Sequence, residues 1–266
     1  MTWWEAALLG VIQGVTEFLP VSSSGHLVIA QGALGLEKSS ITFDVMAHVG
    51  SLVAVLVALK GDWLPMVRGA LGSGAGAAEG RRRILLVLVG SVPVAVVGLL
   101  FKDMLEPLFA SPKAAGTMLL ATGAVLWLAD RFARAAGNGA GKRGLEAITL
   151  LDALWIGCGQ ALAVLPGLSR SGTTIAAGLL RGVDRESAAR FAFLLSIPAI
   201  LGAAALEAPA LLGSSAGLAP MIVGAAAAAV SGYLAIAAFL RFLRGGSLVG
   251  FAVYTWVAGL TVLFAF

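Results

Sequence analysis

The sequence predicts an all-α polytopic membrane protein with six transmembrane helices and two re-entrant helical hairpins, arranged as an inverted-topology repeat. Three observations predict it: an apolar composition, long apolar runs without strand-like alternation, and two broken segments that resemble each other. Of the 266 residues, 59% are hydrophobic and 12% are charged, and the mean hydropathy is +0.96. Soluble domains are about half apolar and a quarter charged, so the composition excludes an ordinary soluble domain.

Six stretches have roughly the 20 apolar residues that a membrane-crossing helix needs. They cover residues 41–60, 84–101, 114–131, 187–206, 217–240 and 248–266. The glycine-rich segment 72–80 between two of them is predicted as a flexible loop. It is not predicted as a phosphate-binding loop, because it lacks the strand context and the lysine of such loops.

Two further regions are apolar but broken in the middle. Residues 3–19 and 22–34 flank a proline and a run of serines, and residues 148–165 and 171–181 flank the segment PGLSRSG. Each half is short for a span, so we interpret both regions as re-entrant hairpins whose tips lie at membrane depth. Irregular backbone is tolerated there only where protein buries it or where it lines a wet cavity.

The two broken regions align with each other at a shift of 147 positions, except that Leu19-Pro20 align with Leu165-Pro166 at a shift of 146. The aligned pairs are Glu5 with Asp152, Gly10 with Gly157, Gln13 with Gln160, and VSSSG at 21–25 with LSRSG at 168–172. A hairpin returns to the side from which it enters, and three spans lie between the hairpins, so the second hairpin enters from the opposite face. The predicted repeats cover about residues 3–131 and 148–266 of one transmembrane domain, residues 1–266.

Lysine and arginine are unequally distributed in this topology. Of the 18, 14 lie in segments predicted on one side, three (Lys38, Lys102 and Lys113) lie on the other, and Arg170 lies at a hairpin tip. The positive-inside rule makes the richer side cytoplasmic. Both termini, and the face from which the first hairpin enters, are therefore predicted on the outer side.

The first tip gathers the polar residues Gln13, Glu17, Ser22, Ser23, Ser24 and His26. Ionisable groups inside a membrane protein are costly and are functional hypotheses by default. A serine hydroxyl needs a base to become a nucleophile, and His26 is predicted to serve Ser23, with Glu17 orienting it or binding a metal. In the alternative, Ser22 and Ser24 only cap the second half-helix and His26 is a buried donor.

The second tip, SRSGTT at 169–174, is predicted as an anion clamp at a helix start. Its hydroxyl groups can accept hydrogen bonds from the backbone N–H groups of the first helical turn, which have no partner within the helix. Those N–H groups also favour a bound anion. Arg170 adds a planar fork of donors matched to phosphate. The alternative is a set of capping serines with an arginine that pairs with a carboxylate.

Four polar residues near the hairpins carry weaker predictions. Asp44 and His48 lie one turn apart on the first span, where they either support the site or are packing groups. Glu5 and Asp152 begin matching half-helices, where an acid suits the helix dipole. We therefore predict a structural role for these two.

At the tips the sequence resembles the undecaprenyl pyrophosphate phosphatase family of the bacitracin-resistance type. The motifs are QGVTE at 13–17, PVSSSGH at 20–26 and PGLSRSGTT at 166–174. They are similar to an [E/Q]-x-x-x-E segment with a serine-rich turn and a histidine, and to a P-G-x-S-R-S-x-x-T block. The likeness covers essentially the whole chain, and Gln13 stands where the double-glutamate form has a carboxylate.

The resemblance implies a hydrolase of the bacterial inner membrane with an outward-facing site. It would convert undecaprenyl diphosphate to undecaprenyl phosphate and inorganic phosphate, recycle the lipid carrier for cell-wall synthesis, and confer bacitracin resistance. It also implies Mg²⁺ or Ca²⁺, with Glu17 as a ligand, and a homodimer; no nucleic-acid partner is predicted. Carried over by motif, the catalytic residues are Glu17, Ser23, His26 and Arg170, and the substrate-binding residues are Gln13, Ser22, Ser24, Ser169, Ser171 and Thr174.

A transporter or flippase of a polyprenyl phosphate lipid is the competing hypothesis, because inverted repeats with discontinuous helices are typical of transporters. The grouping of a serine, a histidine and a glutamate favours an enzyme, since moving an anion does not require it. The sequence leaves the nucleophile open among Ser23, His26 and a water molecule.

Overall fold

The structure is a computed structural model that describes residues 1–36, 41–73, 75–101, 104, 108, 111–135, 143–212 and 218–265. The described residues form eleven α-helices and no β-strand. In chain order they are α1 Trp3–Phe18, α2 Ser23–Ala33, α3 Ile41–Ala58, α4 Lys60–Leu71, α5 Ala75–Leu100, α6 Pro112–Ala135, α7 Leu150–Leu162, α8 Arg170–Leu180, α9 Arg185–Leu212, α10 Leu218–Leu243 and α11 Val249–Ala265.

Four helices, α5, α6, α9 and α10, are long and apolar enough to cross a membrane. The pair α3 and α4 would be a fifth span, although the chain bends by 80° between them. The sixth predicted span corresponds to α11, which is apolar but has only 17 residues. The predicted class, an all-α polytopic membrane protein, is confirmed.

The connection between the first two predicted spans is helical where the sequence predicts a loop. Residues 60–71 form α4, and the glycine-rich segment supplies the first turns of α5. A Cβ atom on Gly69 would lie 2.7 Å from the carbonyl oxygen of Gly76, and one on Gly80 would lie 2.6 Å from the amide nitrogen of Ala70. The glycines therefore let α4 and α5 pack backbone to backbone, which overrides their weak helix propensity.

Both predicted hairpins are pairs of short helices. The first consists of α1 and α2, with 16 and 11 residues, and the second of α7 and α8, with 13 and 11 residues. At about 1.5 Å per residue, none of these helices is as long as the roughly 30 Å hydrocarbon core. The two helices of each pair pack against each other.

Equivalent helices in the two halves of the chain make equivalent packing contacts. Helix α1 packs on α10, and its counterpart α7 packs on α5, while α6 packs on α11. A Cβ atom on Gly10 would lie 2.2 Å from the carbonyl oxygen of Gly224, and one on Gly157 would lie 2.2 Å from that of Gly90. Close backbone approach of this kind is typical of helix packing in lipid. The repeat boundaries remain a prediction.

The two predicted structural acids occupy matching capping boxes. Glu5 caps α1 together with Thr2, and Asp152 caps α7 together with Thr149. Asp152 is fully buried, and it accepts hydrogen bonds from Arg143 at 2.5 Å and from Arg181 at 2.7 Å. It therefore ties the start of the second hairpin to Arg143, which precedes the hairpin, and to Arg181 at the end of the hairpin.

The Asp152→Asn variant is expected to be less stable than the native protein by about 3 kcal/mol, because two arginines lose a buried counter-charge. Glu5→Gln, the same chemical change at the exposed capping box, is expected to cost below about 1 kcal/mol. Thermal unfolding of the two variants in detergent measures the difference. Equal losses would show that the arginine pairs contribute nothing beyond the cap.

Candidate active site

The two hairpin tips meet at the carboxylate of Glu17, which lies in the last turn of α1 and is only 7% exposed. The side-chain amide of Gln13, one turn earlier on the same face, donates to Glu17 Oε2 at 2.9 Å. The Ser23 hydroxyl donates to the same oxygen at 2.5 Å. The guanidinium of Arg170, from the second tip, donates to Glu17 Oε1. One buried carboxylate therefore joins a hydroxyl and a guanidinium.

The backbone of the first tip is strained at Ser22. Its φ of 70° is the single positive value among the non-glycine residues of the described ranges. Ser22 is also the N-cap of α2, and its Oγ accepts from the amide of Gly25 at 3.4 Å. Strained backbone of this kind clusters at functional sites, and here it immediately precedes Ser23.

The second tip is held from outside by Thr122 of α6. The Thr122 hydroxyl donates to the carbonyl of Gly167 at 3.0 Å and accepts from the amide of Ser169 at 2.9 Å. Gly167 has a φ of 92°, and a Cβ atom there would lie 2.3 Å from the carbonyl oxygen of Ala115. Thr122 is absent from the sequence prediction, because one hydroxyl inside an apolar span has no distinguishing pattern.

The tips also bond to each other directly. The amide of Gly167 donates to Ser24 Oγ at 3.3 Å, and the hydroxyl of Ser171 donates to the carbonyl of Leu19 at 3.0 Å. These bonds fix the register of one tip against the other. The position of Ser23 relative to Arg170 is therefore set by these hydrogen bonds between the tips as well as by the Glu17 carboxylate, which bonds to both residues.

His26 lies apart from the Glu17 carboxylate. Its Nδ1 is 2.7 Å from the carbonyl oxygen of Ser22, and its Nε2 is 2.7 Å from the hydroxyl of Tyr254 on α11. Within the described residues, no hydrogen bond joins His26 to Ser23 or to Glu17. The prediction that His26 is the hydrogen-bonded base of Ser23 is therefore wrong for this arrangement. The reason is that the N-cap carbonyl and Tyr254 take both ring nitrogens.

His48 of α3 lies beside the site, with Nε2 at 3.8 Å from Glu17 Oε2. Its Nδ1 is 2.7 Å from the carbonyl oxygen of Asp44, and the Asp44 carboxylate accepts from Gln31 at 3.2 Å. Of the two alternatives left open for this pair, the position of His48 favours support for the site. The role of Asp44 stays a prediction.

The remaining predicted binding residues have their hydroxyls in hydrogen bonds within the protein. Ser22 and Ser24 bond to each other, as do Ser169 and Ser171, and Ser169 caps α8. Thr174 donates to the carbonyl of Arg170 at 2.6 Å. In this state these groups hold the tips together, and their role in substrate binding stays a prediction.

Backbone amides at the starts of α2 and α8 supply further donors. The N–H groups of Ser23, Ser24, Arg170 and Ser171 have no acceptor among the residues that the structure describes. Orphan N–H groups and the positive end of the helix dipole together favour an anion. Two helix starts from opposite hairpins therefore flank the Glu17 carboxylate with donors suited to phosphate oxygens.

A hard divalent cation fits the oxygen atoms at this site. The described ranges contain no group of three His, Cys, Asp or Glu side chains that would hold a metal by themselves. The Oε1 atom of Gln13 is, however, buried without a hydrogen-bond partner, next to the Glu17 carboxylate. Mg²⁺ and Ca²⁺ prefer carboxylate and amide oxygens, and Mg²⁺ binds through one or two carboxylates plus substrate phosphates.

Fold and site together define a polytopic α-helical membrane protein with a buried polar centre between two hairpins. The family model described as "Bacitracin resistance protein BacA" matches residues 6–261, and the chain belongs to this family. A protein of Carboxydothermus hydrogenoformans named "Undecaprenyl-diphosphatase" is 44% identical, over 99% of this chain and 97% of the relative. Proteins of the same name from Desulfatibacillum aliphaticivorans and Methanobrevibacter smithii are 44% and 42% identical, over 100% and 97% of this chain and 99% and 95% of their own length.

Proposed function

We propose that this protein is a membrane phosphatase that hydrolyses undecaprenyl diphosphate to undecaprenyl phosphate and inorganic phosphate. The observation that carries the proposal is the shared carboxylate: Ser23 and Arg170, from different hairpins, both bond to Glu17. A hydroxyl next to a base and a guanidinium is the chemistry of phosphoryl transfer. The relatives named undecaprenyl-diphosphatase supply the identity of the lipid.

In the mechanism that we propose, the terminal phosphate replaces Glu17 as the partner of Arg170. Arg170 and the free amides of the two helix starts then hold the equatorial oxygens, where charge accumulates in the transition state. Glu17, released from the arginine, accepts the proton of Ser23 as the hydroxyl attacks the terminal phosphorus in line. Undecaprenyl phosphate leaves with the proton from Glu17. The regenerated carboxylate then takes a proton from the water that attacks the phosphoserine and passes it to Ser23 Oγ, which releases inorganic phosphate and restores the hydroxyl.

Gln13 and Glu17 are the residues that we expect to hold a divalent cation when substrate is bound. A bound cation would neutralise phosphate charge and lower the cost of bringing a diphosphate to a buried carboxylate. The free Oε1 of Gln13 supports this assignment, because the cation would supply its missing partner. We also expect the ring of His48 to interact with the Glu17 carboxylate during the reaction, since it is the imidazole nearest to that carboxylate.

The site is expected to open to the outer side of the bacterial inner membrane. The support is the distribution of lysine and arginine, of which 14 out of 18 lie on the predicted cytoplasmic side. The released undecaprenyl phosphate would then return to cell-wall synthesis, and removal of its diphosphate precursor would counter bacitracin. The orientation is tested by introducing single cysteines at residues 2 and 266 of a Cys158→Ala variant. Cysteines at outer termini are expected to react with a membrane-impermeant thiol reagent in sealed cells.

Two assays on the purified protein test the proposed reaction against lipid transport. Phosphate release from undecaprenyl diphosphate in detergent is expected for an enzyme and needs no membrane. Translocation of a fluorescent polyprenyl phosphate in sealed liposomes measures a flippase. Transport without phosphate release would overturn the proposed function, and the discontinuous helices would then belong to a transporter.

The Gln13→Glu variant is expected to lower the Mg²⁺ concentration for half-maximal activity by about tenfold, because a second carboxylate raises the ligand charge. Gln160→Glu introduces the same charge at the aligned position of the second hairpin and is the matched control. Titration of phosphate release with Mg²⁺ measures the shift. An unchanged midpoint in Gln13→Glu would remove Gln13 from the cation site.

A further inference from the structure

The contacts of His26 fix which ring nitrogen carries the proton. A carbonyl oxygen only accepts hydrogen bonds, so the nitrogen 2.7 Å from the Ser22 carbonyl, Nδ1, must be the donor. In the neutral ring Nε2 is then the acceptor. The hydroxyl of Tyr254, 2.7 Å from Nε2, must therefore donate to it. The carbonyl contact requires this tautomer, and the hydroxyl contact is compatible with it.

Tyr254 holds the ring of His26 as well as its nitrogen. The two rings are stacked, with centroids 5.6 Å apart and planes 8° from parallel. Tyr254 belongs to α11, in the half of the chain opposite to His26, and 49% of it is exposed. A hydrogen bond and a stacked ring in the same pair fix both the rotation and the tilt of the imidazole.

Helix α2 has few other contacts to hold its side chains in place. Only Gly25 and Leu27 of its eleven residues are buried. In α8, the corresponding helix of the second hairpin, every residue from Ser171 to Leu179 is buried. The helix that carries Ser23 and His26 is thus the less supported one. A contact from α11 to His26 consequently matters more than a similar contact would in α8.

We propose that Tyr254 is a positioning residue for His26 in the phosphatase reaction, an inference that rests on the proposed function and on the catalytic role that the family motif predicts for His26. The Ser22 carbonyl keeps Nδ1 protonated, the Tyr254 hydroxyl donates to Nε2, and the Tyr254 ring holds the imidazole beside the first turn of α2. The Tyr254 hydroxyl also accepts a hydrogen bond when Nε2 is protonated, so the orientation of His26 is the same in both charge states. Partners that orient a functional histidine from outside act in this way.

The test is Tyr254→Phe, which keeps the ring and removes the hydroxyl. We expect kcat for undecaprenyl diphosphate to fall by about tenfold to a hundredfold, as for other partners that orient a functional histidine. We expect KM to change by less than about twofold, since Tyr254 does not hold the substrate. Tyr233→Phe is the matched control, because Tyr233 is the other of the chain's two tyrosines and is expected to keep full activity.

Nitrogen-15 NMR of the histidines gives a readout that does not depend on activity. The chain has two histidines, so the His26→Ala variant assigns both sets of ring signals. In the native protein above the pKa of the ring, His26 is expected in the Nδ1-protonated form with a hydrogen-bonded Nε2. In Tyr254→Phe the Nε2 signal is expected to move to the position of an acceptor nitrogen without a hydrogen bond.

The outcomes separate this inference from the proposed function. If His26→Ala lacks activity but Tyr254→Phe has the native kcat and an unchanged Nε2 signal, the positioning role is refuted and the phosphatase assignment stands. An Nε2-protonated His26 in the native protein would likewise refute it. Native activity in His26→Ala would instead refute the catalytic role that the family motif predicts for His26, and the positioning role of Tyr254 would fall with it. The phosphatase assignment, which is carried by Ser23, Glu17 and Arg170, would stand.

Discussion

The Ser23→Ala variant is expected to release phosphate from undecaprenyl diphosphate at least about a thousandfold more slowly than the native protein, because removing a nucleophile eliminates the covalent route. Ser23 is the first residue of α2, while Ser22 makes the capping bond, so the change leaves the helix start intact. The fold is therefore expected to persist, with an unfolding temperature close to the native one. Phosphate release and thermal unfolding of one preparation measure both quantities.

A labelling experiment distinguishes attack by Ser23 from attack by His26 or by water. Substrate labelled with ³²P in the terminal phosphate is mixed with enzyme and quenched in acid. Phosphoserine survives acid and phosphohistidine does not, so attack by Ser23 predicts acid-stable label that is absent from Ser23→Ala. Ser91→Ala makes the same change on α5, where the hydroxyl donates to the Val87 carbonyl, and is expected to retain the label. A parallel alkaline quench preserves phosphohistidine, so label that survives alkali but not acid would assign the attack to His26, and the absence of label under both conditions would assign it to water.

The general architecture was predictable because it follows from the lengths of the apolar segments and from the positions at which those segments are interrupted. Residues 3–19 and 22–34 are each too short to span, and the structure has helices of 16 and 11 residues there. The serine run and Pro20 mark the break, and the tips at Ser24 and Gly167 lie in contact. The helical start of α5 was not predictable, because glycine lowers helix propensity and only the packing against α4 offsets it.

The members of the site were predictable, but their pairing was not. Sequence spacing brings Ser23 and His26 to neighbouring positions on one helix and gives no measure of the distance from either to Glu17 across the break. The structure pairs Ser23 with Glu17, and His26 with Tyr254, a residue 228 positions away. For the same reason the sequence did not indicate Thr122, and it left the role of His48 open. Each lies on a span whose rotation about its own axis is set by packing.

The sequence left two hypotheses open for Arg170, an anion clamp and an ion pair with a carboxylate, and its pairing with Glu17 is compatible with both. The arginine does pair with a carboxylate, but that carboxylate also bonds to Ser23 and lies at the C-terminal end of α1. A negative charge is unfavourable at that end of a helix, where the dipole is also negative. A residue chosen for stability alone would not be acidic there. The arrangement therefore favours a role for Glu17 in the reaction.

The Glu17→Gln variant is expected to lose activity by at least about a thousandfold, because the base next to Ser23 and a cation ligand disappear together. It is also expected to be less stable by about 3 kcal/mol, because Arg170 keeps its charge in a mostly buried position without a counter-charge. A loss of activity alone would therefore be ambiguous. Phosphate release must be measured together with the free energy of unfolding.

The double variant Glu17→Gln with Arg170→Gln separates the two effects. Removing both charges eliminates the unpaired arginine, so most of the lost stability is expected to return. Activity is expected to stay at the level of Glu17→Gln or below, because the clamp for the phosphate oxygens is gone as well. Recovery of activity along with stability would mean that Glu17 acts only as the counter-ion of Arg170. Continued inactivity in a stable double variant would show that a stable fold is not sufficient for activity, so the inactivity of Glu17→Gln would not be a consequence of its lost stability.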